Sequence, residues 1–320
     1  MAKPVRQTKS REQVADQLAK AIFSQDARAA GRVLSLIDDR DPLAKDVLKR
    51  LYTRTGRAHI VGFTGSAGSG KSTLIGCVTA ELRRRKKQVG ILTIDPTSPF
   101  SGGALLGDRI RMRDHFLDQG VFIRSLATRG NQGGLSASVH EAAQLLDAMG
   151  KEYILIETIG IGQDQVDIAR IAHSVVVLVT PESGDEIQGM KAGVLEVADL
   201  LAINKADLPG AEELYVSLAH LLDNRAVRIF KTSARTNQGI AALVDGIENH
   251  QAGLSASGDQ HQKASEISRN QLLTLIRDEL MLKLRDKMSK GNIDQWAQKI
   301  AERKSDPYTA AEVILGELGF

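Results

Sequence analysis

Continuous apolar runs alternate with helical patterns between residues 57 and 247. Most of the runs lack the apolar and polar alternation of a half-exposed strand, so they are typical of parallel strands that are covered on both faces. The pattern therefore predicts a doubly wound, mostly parallel α/β sheet, in which ligands bind at the carboxyl ends of the strands. The predicted strands are 59–63, 89–95, 121–125, 153–157, 174–180, 200–204 and 227–233.

Helical periodicity without strand signals characterises both ends of the chain. Residues 10–52 repeat apolar positions at helical spacing, and Asp41 followed by Pro42 is a helix-start signal. The stretch 250–266 is rich in Gly, Ser and Gln and predicts a linker. A long amphipathic helix over 264–290 and shorter ones over 292–303 and 308–318 follow. The predicted domains are an N-terminal helical domain (1–56), an α/β domain (57–250), and a linker with a C-terminal helical arm (251–320).

Composition and charge narrow the class of protein. The 320 residues include 42 basic and 39 acidic side chains, a balance that does not indicate a nucleic-acid or membrane surface. No apolar run approaches the ~20 residues that cross a bilayer, and the N-terminal residues have no apolar core typical of a secretory signal. The single cysteine, Cys77, fits a reducing compartment. We therefore expect a cytoplasmic globular protein.

A glycine-rich motif lies between the first predicted strand and a helix. Residues 65–72, GSAGSGKS, match G-x-x-x-x-G-K-[ST] without a mismatch. A simple glycine-rich turn is the alternative, but the flanking strand and helix favour a P-loop, in which backbone N–H groups converge on a phosphate. Lys71 would reach the β- and γ-phosphates, facing solvent until they arrive, and Ser72 would bind Mg²⁺. The candidate nucleotide-binding residues here are Gly65, Ser66, Ala67, Gly68, Ser69, Gly70, Lys71, Ser72 and Thr73.

An acid ends the predicted strand YILIE, and a glycine follows shortly after it. In P-loop proteins a second strand places a carboxylate beside the magnesium, and Glu157 is the natural candidate. The backbone N–H of Gly160 could then sense a γ-phosphate. A capped strand end with an incidental acid is the alternative. Together with the P-loop, this order of elements predicts a P-loop NTPase with helical N- and C-terminal extensions.

Two short motifs near residues 204 and 233 indicate which base is bound. Asn204, Lys205 and Asp207 form N-K-x-D at a strand end, and Ser233 and Ala234 follow the next strand. An aspartate can accept hydrogen bonds from guanine N1–H and the 2-amino group, a donor pair that adenine lacks. Since the wrong base would leave the carboxylate unpaired, the motif predicts GTP and GDP rather than ATP.

Four further segments resemble one family of GTPases. They are TIDPTSPFSGGALLGDRIRM (93–112), FIRSLATRGNQGGLS (122–136), ETIGIGQ (157–163) and GDEIQGMKAG (184–193). With the P-loop and NKAD, the stretch 57–210 closely resembles the MeaB/ArgK-type GTPases. These are chaperones of adenosylcobalamin-dependent acyl-CoA mutases, also labelled lysine/arginine/ornithine transport-system kinases. The resemblance implies a homodimer supported by the C-terminal arm, and a GTPase cycle that gates cofactor loading and protects the mutase.

The resemblance also implies roles for particular residues. Asp95 and Asp108 would lie around Mg²⁺ and the γ-phosphate as a first switch, Glu157 and Gly160 would form a second, and Gln188 to Lys191 a third that responds to the mutase. Several carboxylates near one phosphate-bound Mg²⁺ are physically reasonable, because the cation offsets their repulsion. Asp95 could instead belong only to a turn, Asp108 to a surface salt bridge, and Lys191 to a solvated helix face.

The residue that orients the attacking water is left open by the sequence. Ras-like proteins carry a glutamine directly after the second-switch glycine, but here that position is Ile161. The group must therefore come from Gln163, Asp108, Lys191 or the partner, and we expect slow intrinsic hydrolysis.

Two other classes of function share parts of this pattern. An ATPase or kinase of a solute-uptake system would prefer ATP, which NKAD argues against. A metal-delivery GTPase needs Cys or His ligands, whereas Cys77 lies in the helix after the P-loop and the seven histidines show no metal-ligand spacing. Cobalamin should accordingly be bound by the partner. The sequence does not specify which acyl-CoA mutase that partner is.

Overall fold

The computed structural model describes residues 10–95, 112, 115–127, 137–158, 164–183, 193–222, 226–287 and 290–317. The chain divides into two compact units, Met1–Ser268 and Arg269–Phe320. No helix in these described ranges combines the length and the apolar character that crossing a bilayer requires.

Seven parallel strands form one sheet in the first unit, in the order β3-β2-β4-β1-β5-β6-β7. The predicted doubly wound α/β fold is confirmed, and each predicted strand overlaps an observed one. Because all strands run parallel, their carboxyl ends meet at one edge of the sheet. The strands are β1 His59–Gly65, β2 Val89–Asp95, β3 Val121–Ala127, β4 Tyr153–Glu157, β5 Ser174–Val179, β6 Leu200–Ile203 and β7 Arg228–Lys231.

Three capped helices precede the sheet. Ser10, Asp26 and Asp41 are their N-caps, and each accepts a backbone N–H of the first turn through its side chain. Asp41 and Pro42 begin the third helix, as their order predicts. The helices are α1 Arg11–Phe23, α2 Ala27–Asp38, α3 Pro42–Leu51, α4 Lys71–Arg84, α5 Ala137–Ala148, α6 Asp164–Asp167, α7 Ala211–Leu221, α8 Ile240–Ser257, α9 Asp259–Lys287, α10 Lys290–Ala301 and α11 Pro307–Glu317.

Both faces of the sheet are covered, which explains why the strand sequences are continuously apolar. Along β4, Ile154 and Ile156 join a core that includes the N-terminal helices and α5. Leu155, which lies between them, joins a second core with residues of α4 and α8. Successive side chains of a strand point to opposite faces, so a strand between two helical layers needs apolar residues at every position.

Gly62 in the middle of β1 is required by a close contact. A Cβ at this position would lie 2.3 Å from Cγ1 of Ile168, in the short turn after α6. Real Cβ atoms do not approach other carbons so closely. The Ile168 side chain therefore occupies the space that any side chain at residue 62 would need.

The predicted linker over 250–266 is wrong. Helix α8 continues to Ser257, and α9 begins at Asp259, so only Gly258 separates them, with a left-handed φ of 80°. The helix forms in this polar stretch because Leu243, Val244 and Ile247 bury the preceding turns of α8 in the core. The helices predicted after 290 are present as α10 and α11.

One buried histidine, His59, and two half-buried ones, His173 and His250, lie near the beginnings of β1 and β5, at the edge opposite the P-loop. Ser174 Oγ is 2.8 Å from His59 Nε2 and 2.6 Å from His250 Nδ1. His173 Nδ1 accepts the backbone N–H of Ile60 at 3.0 Å. Burial is the largest cause that lowers the pKa of His59 to about 3 and that of His173 to about 4. Both rings are thus uncharged in the native protein at neutral pH.

Some charges around these rings lower the pKa values of the histidines, and one raises the pKa of His250. Burial lowers the pKa of His250 as well. The Asp199 carboxylate, 3.6 Å from His250 Nε2, raises this pKa, whereas the charges of Lys263 and Arg228 lower it further. A proton on His173 or His250 would further lower the pKa of His59, and the charge of Lys263 further lowers that of His173. The contact of Ser174 with His250 joins α8 to the beginning of β5.

The native protein should therefore lose stability as pH falls below the ordinary histidine pKa of about 6.5. An unfolded histidine binds a proton there while the buried one does not, so each contributes a loss of about 1.4 kcal/mol per pH unit down to its native pKa. His59→Gln should reduce this slope by about one proton. Urea unfolding at pH 7, 6 and 5 measures it. His220→Gln, at an exposed histidine, is the control, and equal slopes in the two variants would contradict the assignment.

Candidate nucleotide site

The P-loop motif forms the turn between β1 and α4, as predicted. Gly70 is the N-cap of α4 and supplies no side chain to the backbone N–H groups of its first turn. Those groups and the positive end of the helix dipole remain available to an anion. Ser69 Oγ is buried and makes no hydrogen bond in the described structure. The loop thus presents several donors in the position that a phosphate group needs.

Two glycines of the loop are required by φ and by space. Gly65 has a φ of 144°, and a Cβ on it would lie 2.4 Å from the carbonyl oxygen of Leu178 in β5. Gly70 has a φ of 88°, and a Cβ there would lie 2.5 Å from Nδ2 of Asn204. Side chains at these positions would push the loop away from β5 and β6. The motif's glycines therefore keep the loop close to the strands that carry the other site residues.

Lys71 is buried, with an exposed fraction of 6%, so the expectation that it faces solvent is wrong. Its Nζ donates to the carbonyl oxygens of Gly65 and Ser66, each at 2.9 Å. These carbonyls come from the loop itself, which bends around the ammonium group. The interaction keeps a positive charge inside the loop, where an incoming phosphate group would meet it.

Ser72 and Glu157, predicted to share a magnesium ion, are in direct contact. Ser72 Oγ donates to Glu157 Oε1 at 2.6 Å, and both side chains are buried. Adjacent oxygen ligands of an octahedral Mg²⁺ lie about 3 Å apart, since each is about 2.1 Å from the ion. The pair is therefore an oxygen donor set of suitable chemistry and nearly suitable spacing, and it could hold Mg²⁺ after a small separation.

Asn204 ties three segments of the site together. Its Nδ2 donates to the carbonyl oxygen of Ser69 at 2.8 Å, and its Oδ1 accepts from Thr232 Oγ1 at 3.4 Å. The side chain is buried, with an exposed fraction of 2%. The asparagine of N-K-x-D thus joins the P-loop to the end of β7.

Asp207 lies exposed beside the segment that follows β7. A hydrogen bond from the Ser233 side chain holds its pKa below the usual range, and the charge of Arg235 acts in the same direction. Ser233 is fully buried, and its backbone pairs with Gln238 in both directions. The carboxylate is therefore ionised at neutral pH.

Two contacts that the motifs did not indicate hold the segments at Ala234 and Thr158. Cys77 Sγ on α4 donates to the carbonyl oxygen of Ala234 at 3.4 Å. Thr158, directly after Glu157, donates through its hydroxyl to Thr64 Oγ1 at 3.1 Å. Neither contact has a sequence signal, because each depends on which strands are neighbours in the sheet.

Several predicted site residues lie outside the described part of the chain. Of Asp95, only its place as the last residue of β2 is described. Thr73 is exposed in the first turn of α4. Asp108, Gly160, Gln163, Gln188 and Lys191 lie outside the described residues.

Comparison with known proteins assigns the family. The model of the family described as methylmalonyl Co-A mutase-associated GTPase MeaB matches residues 28–289. The chain belongs to the MeaB family. Proteins of this family are GTPases, and this chain is accordingly a GTPase that binds guanine nucleotides.

Proteins similar to this MeaB-family GTPase include two named relatives and one solved structure. A protein of Pyrococcus abyssi named as a GTPase is 39% identical over 312 residues, which cover 95% of this chain and 96% of the relative. The methylmalonic aciduria type A homolog of Mus musculus is 33% identical over 266 residues, covering 80% and 64%. A solved structure named LAO/AO transport system kinase aligns with a TM-score of 0.69 at 22% identity, covering 98% and 100%. That last likeness concerns the fold alone.

Replacing Ser72 with Ala, or Glu157 with Gln, should remove most of the nucleotide affinity that Mg²⁺ adds. Ser72→Ala removes one of the two predicted oxygen ligands, and Glu157→Gln removes the negative charge of the other. We therefore expect the Mg²⁺-dependent part of GTP affinity to fall about tenfold or more. Titration of a fluorescent GTP analogue in Mg²⁺ and in EDTA measures this difference.

Thr79→Val is the matched control for this test. Thr79 is another buried hydroxyl on α4, and it donates only within the helix, to the carbonyl oxygen of Ile75 at 2.7 Å. Its loss should leave the Mg²⁺ dependence unchanged. If Ser72→Ala and Thr79→Val show the same Mg²⁺ dependence, the pair is not the metal site.

Proposed function

We propose that this GTPase is a chaperone of an adenosylcobalamin-dependent acyl-CoA mutase of the methylmalonyl-CoA mutase type, gating cofactor loading and protecting the mutase. The family description associates its members with that mutase, and the relatives from Mus musculus and Caenorhabditis briggsae are named methylmalonic aciduria type A homologs. The observation that carries the proposal is the match over 28–289, because it extends far beyond the nucleotide motifs.

The proposed roles of the nucleotide-binding residues follow from the contacts around the P-loop. GTP and GDP bind with their phosphates on the loop 65–73, and Lys71 turns from its loop carbonyls toward the β- and γ-phosphates. Ser72 and Glu157 hold Mg²⁺, which would supply charge neutralisation of the phosphates when bound. The contact at 2.6 Å supports this pairing. Asp95 and Asp108 are the other two carboxylates near the metal ion.

The base is proposed to lie against the loop that follows β6. Asp207 accepts the two guanine donors, and Lys205 flanks the same loop. Ser233 and Ala234 border the base from the segment after β7. The hydrogen bond of Ser233 to Asp207 and the link from Asn204 to Ser69 support a single pocket that joins base and phosphate recognition.

Two further segments are proposed to act as switches. Gly160 senses the γ-phosphate, and Gln163 is a candidate for orienting the attacking water. Gln188 and Lys191 belong to the segment that responds to the mutase. We place the protein in the cytoplasm, where a free thiol such as Cys77 stays reduced.

A homodimer is also part of the proposal, through the second unit. Helix α9 exposes a series of large apolar side chains there, including Leu273 (55% exposed), Ile276 (47%) and Leu280 (38%). Their spacing of three and four residues puts them on one side of the helix. Apolar surface of this kind is stabilised when a second copy covers it.

The triple variant Leu273→Glu, Ile276→Glu and Leu280→Glu of the full chain should be a folded monomer. Dimer formation would bury the three new carboxylates without partners, which costs free energy. Light scattering measures the mass, and circular dichroism confirms the helical content. Lys283→Glu, an exposed charge change on the same helix, should leave the dimer intact. A dimer that persists in the triple variant would place the interface elsewhere.

The mutase itself provides the test of the chaperone function. We expect slow GTP hydrolysis by the isolated protein and a rise of about ten- to a hundredfold when methylmalonyl-CoA mutase binds, which is about 1.4 to 2.7 kcal/mol of transition-state stabilisation. Gln188→Ala and Lys191→Ala should lose this stimulation while retaining the slow basal rate. Phosphate release at steady state, with and without mutase, measures both quantities.

Lys49→Ala, at an exposed lysine of α3, is the control and should keep the full stimulation. Fast hydrolysis by the isolated protein would contradict the need for a partner. Equal stimulation of all the variants would remove Gln188 and Lys191 from the responding segment.

A further inference from the structure

An ion pair joins the loop 204–210, which is proposed to recognise the base, to the turn that follows the neighbouring strand β5. Lys205 Nζ is 2.7 Å from Oε2 of Glu182, which lies in the short turn Pro181–Ser183 directly after β5. Strands β5 and β6 are neighbours in the sheet, so the turn after β5 lies next to the loop after β6. Glu182 has no place in the nucleotide motifs, and its position is set by strand order.

The same turn also reaches the far end of the loop. A Cβ on Gly210 would lie 3.7 Å from the Cβ of Pro181, an ordinary packing distance. At the near end, the backbone N–H of Asn204 donates to the carbonyl oxygen of Val179, the last residue of β5. The loop 204–210 is therefore bounded at both ends by β5 and the turn that follows it.

The position of the Lys205 ammonium matters because Asp207 is only two residues away. An ammonium group that paired with the Asp207 carboxylate would occupy the acceptor that guanine needs. In the structure the Asp207 side chain is instead bonded by Ser233, and Arg235 is the cation whose charge acts on it. The backbone of Lys205 has a left-handed φ of 58°, and its ammonium lies at Glu182.

We propose that Glu182 is a positioning residue for base recognition, which holds the Lys205 ammonium on the β5 side of the loop and keeps the Asp207 carboxylate open to guanine. This inference rests on the proposed recognition of guanine by Asp207. Glu182 acts through Lys205 and touches neither the phosphates nor the reacting atoms. It therefore affects nucleotide affinity and base preference more than the rate of hydrolysis.

The expected size of the effect is modest, because the pair is partly exposed. The side chains of Lys205 and Glu182 are 35% and 61% exposed, and ion pairs of this kind shift equilibria by about fivefold or less. We therefore expect Glu182→Gln to weaken GDP binding about three- to fivefold. Preference for GDP over inosine diphosphate should fall as well, since inosine lacks the 2-amino group that bonds the second carboxylate oxygen.

A second ion pair beside the same loop, between β7 and α7, provides a matched control. Lys231 Nζ and Glu212 Oε2 are also 2.7 Å apart, with side-chain exposures of 41% and 67%. This pair lies in the wall of a cleft of about 390 Å³ that is lined on one side by Ala206 and Leu208. Glu212→Gln removes an equivalent charge from the α7 side of the loop and should change neither affinity nor base preference.

The experiment measures displacement of a fluorescent GDP analogue from the full-length protein by GDP and by inosine diphosphate. Glu182→Asp, which keeps the charge, should recover part of the lost preference. In a Lys205→Met background, Glu182→Gln should have no further effect, because the ammonium it restrains is gone. Equal GDP affinity and base preference in Glu182→Gln and Glu212→Gln would overturn the proposal, as would a full effect of Glu182→Gln in the Lys205→Met background.

Asp207→Asn separates this inference from the proposed function. An asparagine donates to the C2 carbonyl of xanthine, so this variant should bind xanthosine diphosphate in preference to GDP. If its affinities for both nucleotides equal those of the parent protein, the assignment of Asp207 fails, and the role of Glu182 fails with it. If the preference switches but Glu182→Gln behaves like Glu212→Gln, only the role of Glu182 is wrong.

Discussion

The nucleotide site depends on the hydrogen bonding of β1 to β4 on one side and to β5 on the other. This register aligns Phe63 with Glu157 and Gly65 with Leu178. The acid at the end of β4 consequently lies beside the first turn of α4, within hydrogen-bond reach of Ser72. The same register brings the P-loop against β5 so closely that only a glycine fits at residue 65. A shift of one residue would separate the hydroxyl from the carboxylate and reverse the buried faces of the strands.

The features that could be predicted from sequence are those that depend on neighbouring residues. Continuous apolar runs identified the strands because burial on both faces acts at each residue in turn. The P-loop was predictable because the left-handed turns at Gly68 and Gly70 and the charge of Lys71 all lie within one short segment. The helix start at Asp41 was predictable for the same reason, since a cap acts within one turn.

Contacts between distant segments could not be predicted in this way. The link from Asn204 to Ser69, the burial of Lys71, and the pair of Glu182 with Lys205 depend on the order of strands in the sheet. Residues 250–266 were misjudged for a related reason. Their own composition favours a linker, but the apolar turns of α8 that precede them are buried, and a helix that is already nucleated extends at little cost.

The contact of Gly62 with Ile168 has a consequence for how this chain can change over time. The two residues share one volume between β1 and the turn after α6, so their substitutions are not independent. Gly62 can be replaced by a residue with a Cβ only after Ile168 has been replaced by a smaller residue. In the reverse order, the first substitution would overpack the core. We therefore expect these two positions to change together. Covariation of these two positions would therefore record the packing of β1 directly, independently of any selection on nucleotide chemistry.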